Sequence, residues 1–183
     1  MSNIIAVFTG KNLELIQEDG GSGHWTAKKE KINDSEYVLM IRNHSEKWAD
    51  KVSAKHGQAF MIGKVSGCIP SHKHEGRRII QISEYSLLPD TEYFKNAWSK
   101  LTKGQRFPVA YLNDADLLTK INLNINDLVW TKFEPPVNDP RSDVLKPIIE
   151  ETKDLSTIIS EAKAMIAHAA GVKTDKVDIQ IKF

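Results

Sequence analysis

Five potential cations fall within seven positions in His72-Lys73-His74-Glu75-Gly76-Arg77-Arg78, opposed only by Glu75. Lys73, Arg77 and Arg78 at the tip of a hairpin can hold phosphates, or they can form a solvated loop. The His-x-His spacing also suits metal ligation. Two histidines do not complete a site, however, and the sequence indicates no third ligand, so neither a metal nor another cofactor is expected. A second constellation is Gly21-Ser22-Gly23-His24-Trp25. Its glycines let backbone approach a ligand, groups near Ser22, Gly23 and His24 can face it, and Trp25 offers a stacking surface. The alternative is a hairpin turn with Trp25 in the core.

Arg42-Asn43-His44 closes an apolar run. Asn43 can pair with a base edge through both donor and acceptor, and Arg42 can grip phosphate in bidentate fashion. The plainer reading is a turn at Asn43 and a solvated strand end at Arg42. Trp48 lies in a charged stretch, where it either closes over a ligand or pins the loop to the body. Trp98 and Trp130 sit in apolar periodic contexts that favour core packing. Lys64 and Glu84 fall on neighbouring strand-like runs. A cross-strand ion pair is the simple account of them. No nucleophile elbow, P-loop or dinucleotide fingerprint is present.

The elements that must position these groups are short strands with intervening turns. Residues 4–8, 37–42, 58–67, 77–87 and 128–133 read as strands, with 58–67 and 77–87 the best antiparallel pair. Short helices are expected over 11–18, ending at Gly20-Gly21, and over 91–101. Asn113 precedes Asp114-Ala115-Asp116 as an N-cap with acids in the first turn. Residues 44–57 lack periodicity and read as a long excursion. Three prolines in residues 134–143 mark a boundary. Beyond it, Ile158, Ile159, Ala162, Met165, Ile166 and Ala169 share a helical face, and Val177, Ile179, Ile181 and Phe183 alternate as a strand. One helix and one strand cannot bury themselves alone, so this piece must dock on its own domain or on another chain.

The 183 residues carry a net charge of +1, which argues against a non-specific electrostatic coat for DNA. One cysteine, Cys68, rules out an internal disulfide and fits a reducing compartment, where it reads as a small buried hydrophobe. No apolar run reaches the length of about 20 that spans a bilayer. Met1-Ser2-Asn3 leads straight into a strand-like run, so a cytoplasmic location without membrane attachment is expected.

Three segments resemble the PUA-like superfamily, in particular EVE-type domains, with ASCH and YTH domains as relatives. They are His56–Gly67 with its apolar-apolar-Gly-x-apolar strand, the strand from Ile79 to Leu88 ending at Pro89, and Pro108-Val109-Ala110-Tyr111-Leu112 leading into a helix. The opening strand Ile4–Phe8 departs from the EVE pattern in lacking tryptophan. The resemblance implies an α+β fold: a PUA-like curled mixed sheet or small β-barrel with flanking helices over 1–134. A Pro-rich linker over 135–143 and a C-terminal helix–strand element over 144–183 would follow. It further implies a pocket that takes a flipped, modified base of DNA or RNA. Trp25 would stack on the base, Ser22, Gly23, His24 and Asn43 would surround its edge, Trp48 would close over it, and Arg42, Lys73, Arg77 and Arg78 would hold phosphates. Alternatives are a small hydrolase or ribonuclease of ASCH type using Lys64 and Glu84, and an adaptor whose residues 144–183 bind a protein partner or form a homodimer.

Overall fold

In a computed structural model the chain divides into two compact units, Met1–Asp139 and Pro140–Phe183. The structure describes residues 2–134, 163, 166 and 174–178. The linker and most of the expected C-terminal helix and strand therefore lie outside the described residues.

The first unit is built on a strongly curled mixed sheet that forms a half-barrel, with a few short helices. Its strands are β1 (Asn3–Thr9), β2 (Ser22–Trp25), β3 (Tyr37–Arg42), β4 (Ala59–Pro70), β5 (Arg78–Leu87), β6 (Val109–Asn113) and β7 (Thr131–Lys132). The order is β2-β5-β4-β3-β1-β6, with β7 added to β5. Among the described residues only β1 and β3 run parallel; the other neighbours are antiparallel. The helices are α1 (Leu13–Glu18), α2 (Lys29–Asn33), α3 (Ala97–Thr102) and α4 (Asp114–Ile121).

The central strands are apolar at nearly every position because both faces of the sheet are covered. Ile4, Ala6, Leu39, Ile41, Ala59 and Ile62 join Trp98, Leu101, Leu117 and Ile121 of α3 and α4 on one face. Ile5, Val7, Val38, Met40, Met61, Ile80 and Ile82 join Ile16 of α1 and Ile32 of α2 on the other. The period-2 alternation thus separates two apolar layers, not an inside from a wet outside. Gly63, the glycine within the apolar run of β4, lets Ile82 lie close: a Cβ there would stand 2.8 Å from Ile82 Cγ2.

Local signals placed several element ends. Asn12 caps α1 through Leu15 N–H. Asn113 and Asp116 form a reciprocal capping box on α4. Two expected elements are shorter than the sequence suggests. The helix over 91–101 is helical only from Ala97, because Asn96 adopts a left-handed conformation with φ of 55°. The final strand contracts to Thr131–Lys132, since only Glu84 and Tyr85 of β5 are opposite it. Cys68 is half-buried, not enclosed, and its Sγ lies 3.7 Å from Asn33 Oδ1.

The Gly20-Gly21 turn brings α1 back onto β5. Gly21 has φ of 148°, and a Cβ on it would stand 2.3 Å from Ile80 O. A backbone oxygen of a paired strand cannot step aside, so Gly21→Ala is expected to cost about 1–3 kcal/mol. Gly20 has nothing within 4 Å of a Cβ and serves as the control. Urea unfolding of the two variants checks this; equal losses would show that the close approach to Ile80 is unimportant.

Candidate functional site

The loops at one end of the sheet surround an open cavity of about 460 Å³. Its walls come from the end of β1 (Phe8), the loop after β3 (Asn43, Ser45), the approach to β4 (His56, Gly57), the start of α3 (Asn96, Trp98, Ser99) and the loop before β6 (Gly104, Gln105, Arg106, Pro108). This volume lies within the range of small-ligand sites, about 300–1,000 Å³. Backbone bonds hold the walls together: Phe8 N–H donates to Pro108 O at 2.8 Å, Gly57 N–H to Arg42 O at 2.8 Å, and Trp98 N–H to Gly57 O at 3.2 Å.

Aromatic rings form one wall. Phe8 and Trp98 stack with centroids 4.8 Å apart and planes 6° from parallel, and His56 meets Phe8 edge-on at 5.1 Å. Trp98 Nε1–H donates to Gln105 O, and Gln105 Nε2–H donates to Phe107 O and Val109 O, so the loop before β6 is tied to the ring wall. His56 Nδ1 accepts from His44 N–H, which leaves the ring proton on Nε2 as a donor. Asn43 Oδ1 accepts from Ser45 N–H; among the described residues its Nδ2 has no partner. Arg106 is exposed at the rim, and next to it Phe107 is 78% exposed.

A second constellation lies at the β2 edge. Asp19, at the end of α1, is 3% exposed. Lys11 Nζ donates to its Oδ2, and Lys73 Nζ donates to its Oδ1 at 2.6 Å. His24 Nε2 lies 3.4 Å from Oδ2, and His72 Nε2 lies 3.9 Å from Oδ1. On its other side, His24 Nδ1 makes a 2.6 Å hydrogen bond with Ser71 Oγ. Burial, together with the Lys11 charge, pushes the His24 pKa down to about 4, so its imidazole is neutral near pH 7. Burial alone would raise the Asp19 carboxyl, but the bonds from Lys11 and Lys73 outweigh it and hold the group below the ordinary carboxylate range. The Lys11 ammonium is lowered by burial, with Asp19 opposing.

The residues singled out in the sequence are therefore divided between places. Trp25 packs with the second apolar layer and donates from Nε1 to buried Ser22 Oγ. Phe8 and Trp98 belong to the opposite layer, so Trp25 does not wall the cavity that Asn43 helps to line. Ser22 and Gly23 are buried in the pairing of β2 with β5. A Cβ on Gly23 would meet Ile79 Cγ1 at 2.8 Å, so that glycine admits a neighbouring strand instead of a ligand.

Arg42 overturns the expectation of a phosphate grip, since its side chain is fully buried. The guanidinium donates to Gly10 O, Lys11 O and Ser53 Oγ, pairs with Asp50 at 3.3 Å and lies 4.1 Å over the Phe60 ring. Trp48 is 57% exposed, with its indole edge resting against Gly10. Lys73 is engaged by Asp19, Arg77 is exposed with a long 3.4 Å contact to His24 O, and Arg78 pairs in register with Trp25. Lys64 and Glu84 are opposite one another on β4 and β5 and form an ion pair, with Lys64 Nζ also 4.7 Å over the Trp130 ring. Both are more than a third exposed, and neither lines the 460 Å³ cavity.

Sequence reading missed Phe8, His56, Trp98 and Arg106 as cavity residues. Phe8 and Trp98 carry the same apolar signal as core residues. The run Gly104-Gln105-Arg106-Phe107-Pro108 held the available clue, an aromatic beside an arginine in a turn. Equally missed was Asp19, the shared partner of the glycine-rich turn and the histidine hairpin.

Fold and cavity together define a half-barrel α+β domain with a ring-walled recess at the carboxyl ends of its two parallel strands. Comparison of the chain with protein-family models, with curated proteins and with solved structures found no match. Among the described residues no helix is long and apolar enough to cross a membrane.

Proposed function

We propose that the first unit is a nucleic-acid-binding module of the PUA-like, EVE-type kind, which takes a flipped base of DNA or RNA into the 460 Å³ cavity. The observation that carries this reading is the combination of Phe8, Trp98 and His56 rings with the Asn43 Nδ2 donor, unpartnered among the described residues, in one recess. A base needs a flat apolar wall and a few donors and acceptors at its edge, and these residues are of both kinds. Arg106 at the rim suits a flanking phosphate, and exposed Phe107 suits an adjacent base. The curled sheet is compatible with a small barrel of this type. A modified base is the favoured occupant, as the resemblance to EVE-type domains implies.

The test is equilibrium binding of labelled single-stranded DNA and RNA, with and without modified bases. Asn43→Ala is expected to weaken binding by about tenfold or more, since a paired base edge contributes about 1–3 kcal/mol. Arg106→Glu should weaken binding and flatten its salt dependence. Trp25→Ala should leave affinity unchanged, because that ring lies in the other layer. Wild-type affinity in both Asn43→Ala and Arg106→Glu, or no oligonucleotide bound at all, would overturn the reading.

A further inference from the structure

We infer that Asp19, His24 and His72 form a binding site for a divalent transition-metal ion of the zinc class, separate from the ring-walled cavity. One carboxylate oxygen and one nitrogen from each imidazole all lie within 4.8 Å of one another. Zinc bonds of about 2.0–2.2 Å to N and O in tetrahedral geometry place neighbouring ligand atoms about 3.3 Å apart. His72 Nε2 lies 3.9 Å from Asp19 Oδ1, and His24 Nε2 lies 3.4 Å from the other carboxylate oxygen, Oδ2. Small side-chain shifts bring the set to ligating distance.

A second observation points the same way. His24 is 6% exposed in its side chain, and its Nε2 has no hydrogen-bond partner although it is aimed at Asp19. A buried ring nitrogen is rarely left unmet. The Ser71 bond at Nδ1 fixes the ring so that Nε2 faces the carboxylate. In the ion-free protein Ser71 Oγ accepts from Lys73 N–H at 3.2 Å and His74 N–H at 2.9 Å, so its own O–H donates to His24 Nδ1. With an ion on Nε2 the ring proton moves to Nδ1 and is donated to Ser71 Oγ, which releases the longer bond from Lys73 N–H.

The carboxylate already holds a cation, the Lys73 ammonium on Oδ1. The Lys73 side chain is 56% exposed and can leave for water with its proton. Lys11, 14% exposed, stays on Oδ2. Two imidazoles and one carboxylate leave coordination positions open, a donor set of catalytic rather than closed structural sites.

Isothermal titration of the full chain with Zn²⁺, and the visible bands of bound Co²⁺, test the site directly. Binding at one equivalent is expected, with cobalt bands of low-symmetry N/O coordination. His72→Gln should weaken Zn²⁺ binding about tenfold or more, whereas His74→Gln, which removes only a ring resting edge-on against His24 at 5.3 Å, should cost far less. Lys73→Ala should tighten binding, because it removes the competing ammonium. These three changes lie at or next to an exposed hairpin tip, so the fold survives them; His24→Gln and Asp19→Asn follow, with Tm as the check on folding. No stoichiometric binding, or equal losses in His72→Gln and His74→Gln, would overturn the inference, the latter by revealing only an adventitious His-x-His surface. Weaker binding in Lys73→Ala would overturn it as well.

Discussion

Replacing Arg42 by alanine is expected to lower the unfolding free energy by about 3–5 kcal/mol, the cost of breaking a buried ion pair from one side. The side chain has no exposed surface, and its removal does three things. It leaves the Asp50 carboxylate without its cation, although the Ser53 hydroxyl and backbone N–H groups still hold that carboxyl below its usual range. It strips the donors from Gly10 O and Lys11 O. It also opens a hole beside the Phe60 ring. Arg42→Lys should recover little, since one ammonium cannot reach the three sets of acceptors that the planar fork serves. Because the guanidinium ties residues 10–11 to residues 50–53, the walls supplied by Asn43 and His56 should loosen with it. Urea unfolding gives the magnitude. A loss below about 1 kcal/mol would mean that these internal bonds are nearly balanced by desolvation.

The second large effect is a fall in stability on acidification, governed by His24 in metal-free protein kept in chelator. Its pKa is about 4 in the folded state, against about 6.5 in an unfolded chain. Above about pH 6.5 both states hold neutral imidazole and the group contributes no pH dependence. As the pH falls from there towards 4, the unfolded chain takes up the proton and the folded protein does not, so stability declines. The full difference is roughly 3 kcal/mol, at 1.36 kcal/mol per pH unit. Burial is the first cause; Lys11, His72 and Lys73 also disfavour a charged ring, while Asp19 favours it. Asp19 itself titrates below its ordinary value, so its own loss falls at lower pH and has the same sign. Unfolding midpoints between pH 7.5 and about 4 should therefore drop in the wild type and much less in His24→Gln. An imidazole titrating near its ordinary value by NMR would contradict this account.

Much of the scaffold was legible from local chemistry. The β-rich runs, the pairing of the run around Gly63 with the run around Ile82, and the Asn113 cap each depend on residues close in sequence or on a simple alternation. The opposition of Lys64 and Glu84 also follows from that hairpin register. The site was less legible, for a physical reason. Trp25 and Trp98 look alike in a sequence, since each is an indole among apolar neighbours. Which one borders a recess depends on the layer it faces, and a one-residue change of register exchanges the layers. Arg42 reads as a strand-end cation until Asp50 and Ser53, from the long excursion, close over it.

By itself the sequence determined the short strands, the principal turns and caps, and the concentration of histidines and cations at 72–78. Tertiary structure alone decided which of these groups meet. Closure of the sheet edge carried Asp19 and His24 to His72, across 53 positions of chain, and gathered Phe8, Asn43, His56, Trp98 and Arg106 around one recess. The reason is that backbone conformation answers to neighbours along the chain. Coordination and recognition answer to distances in space, which long-range strand pairing sets.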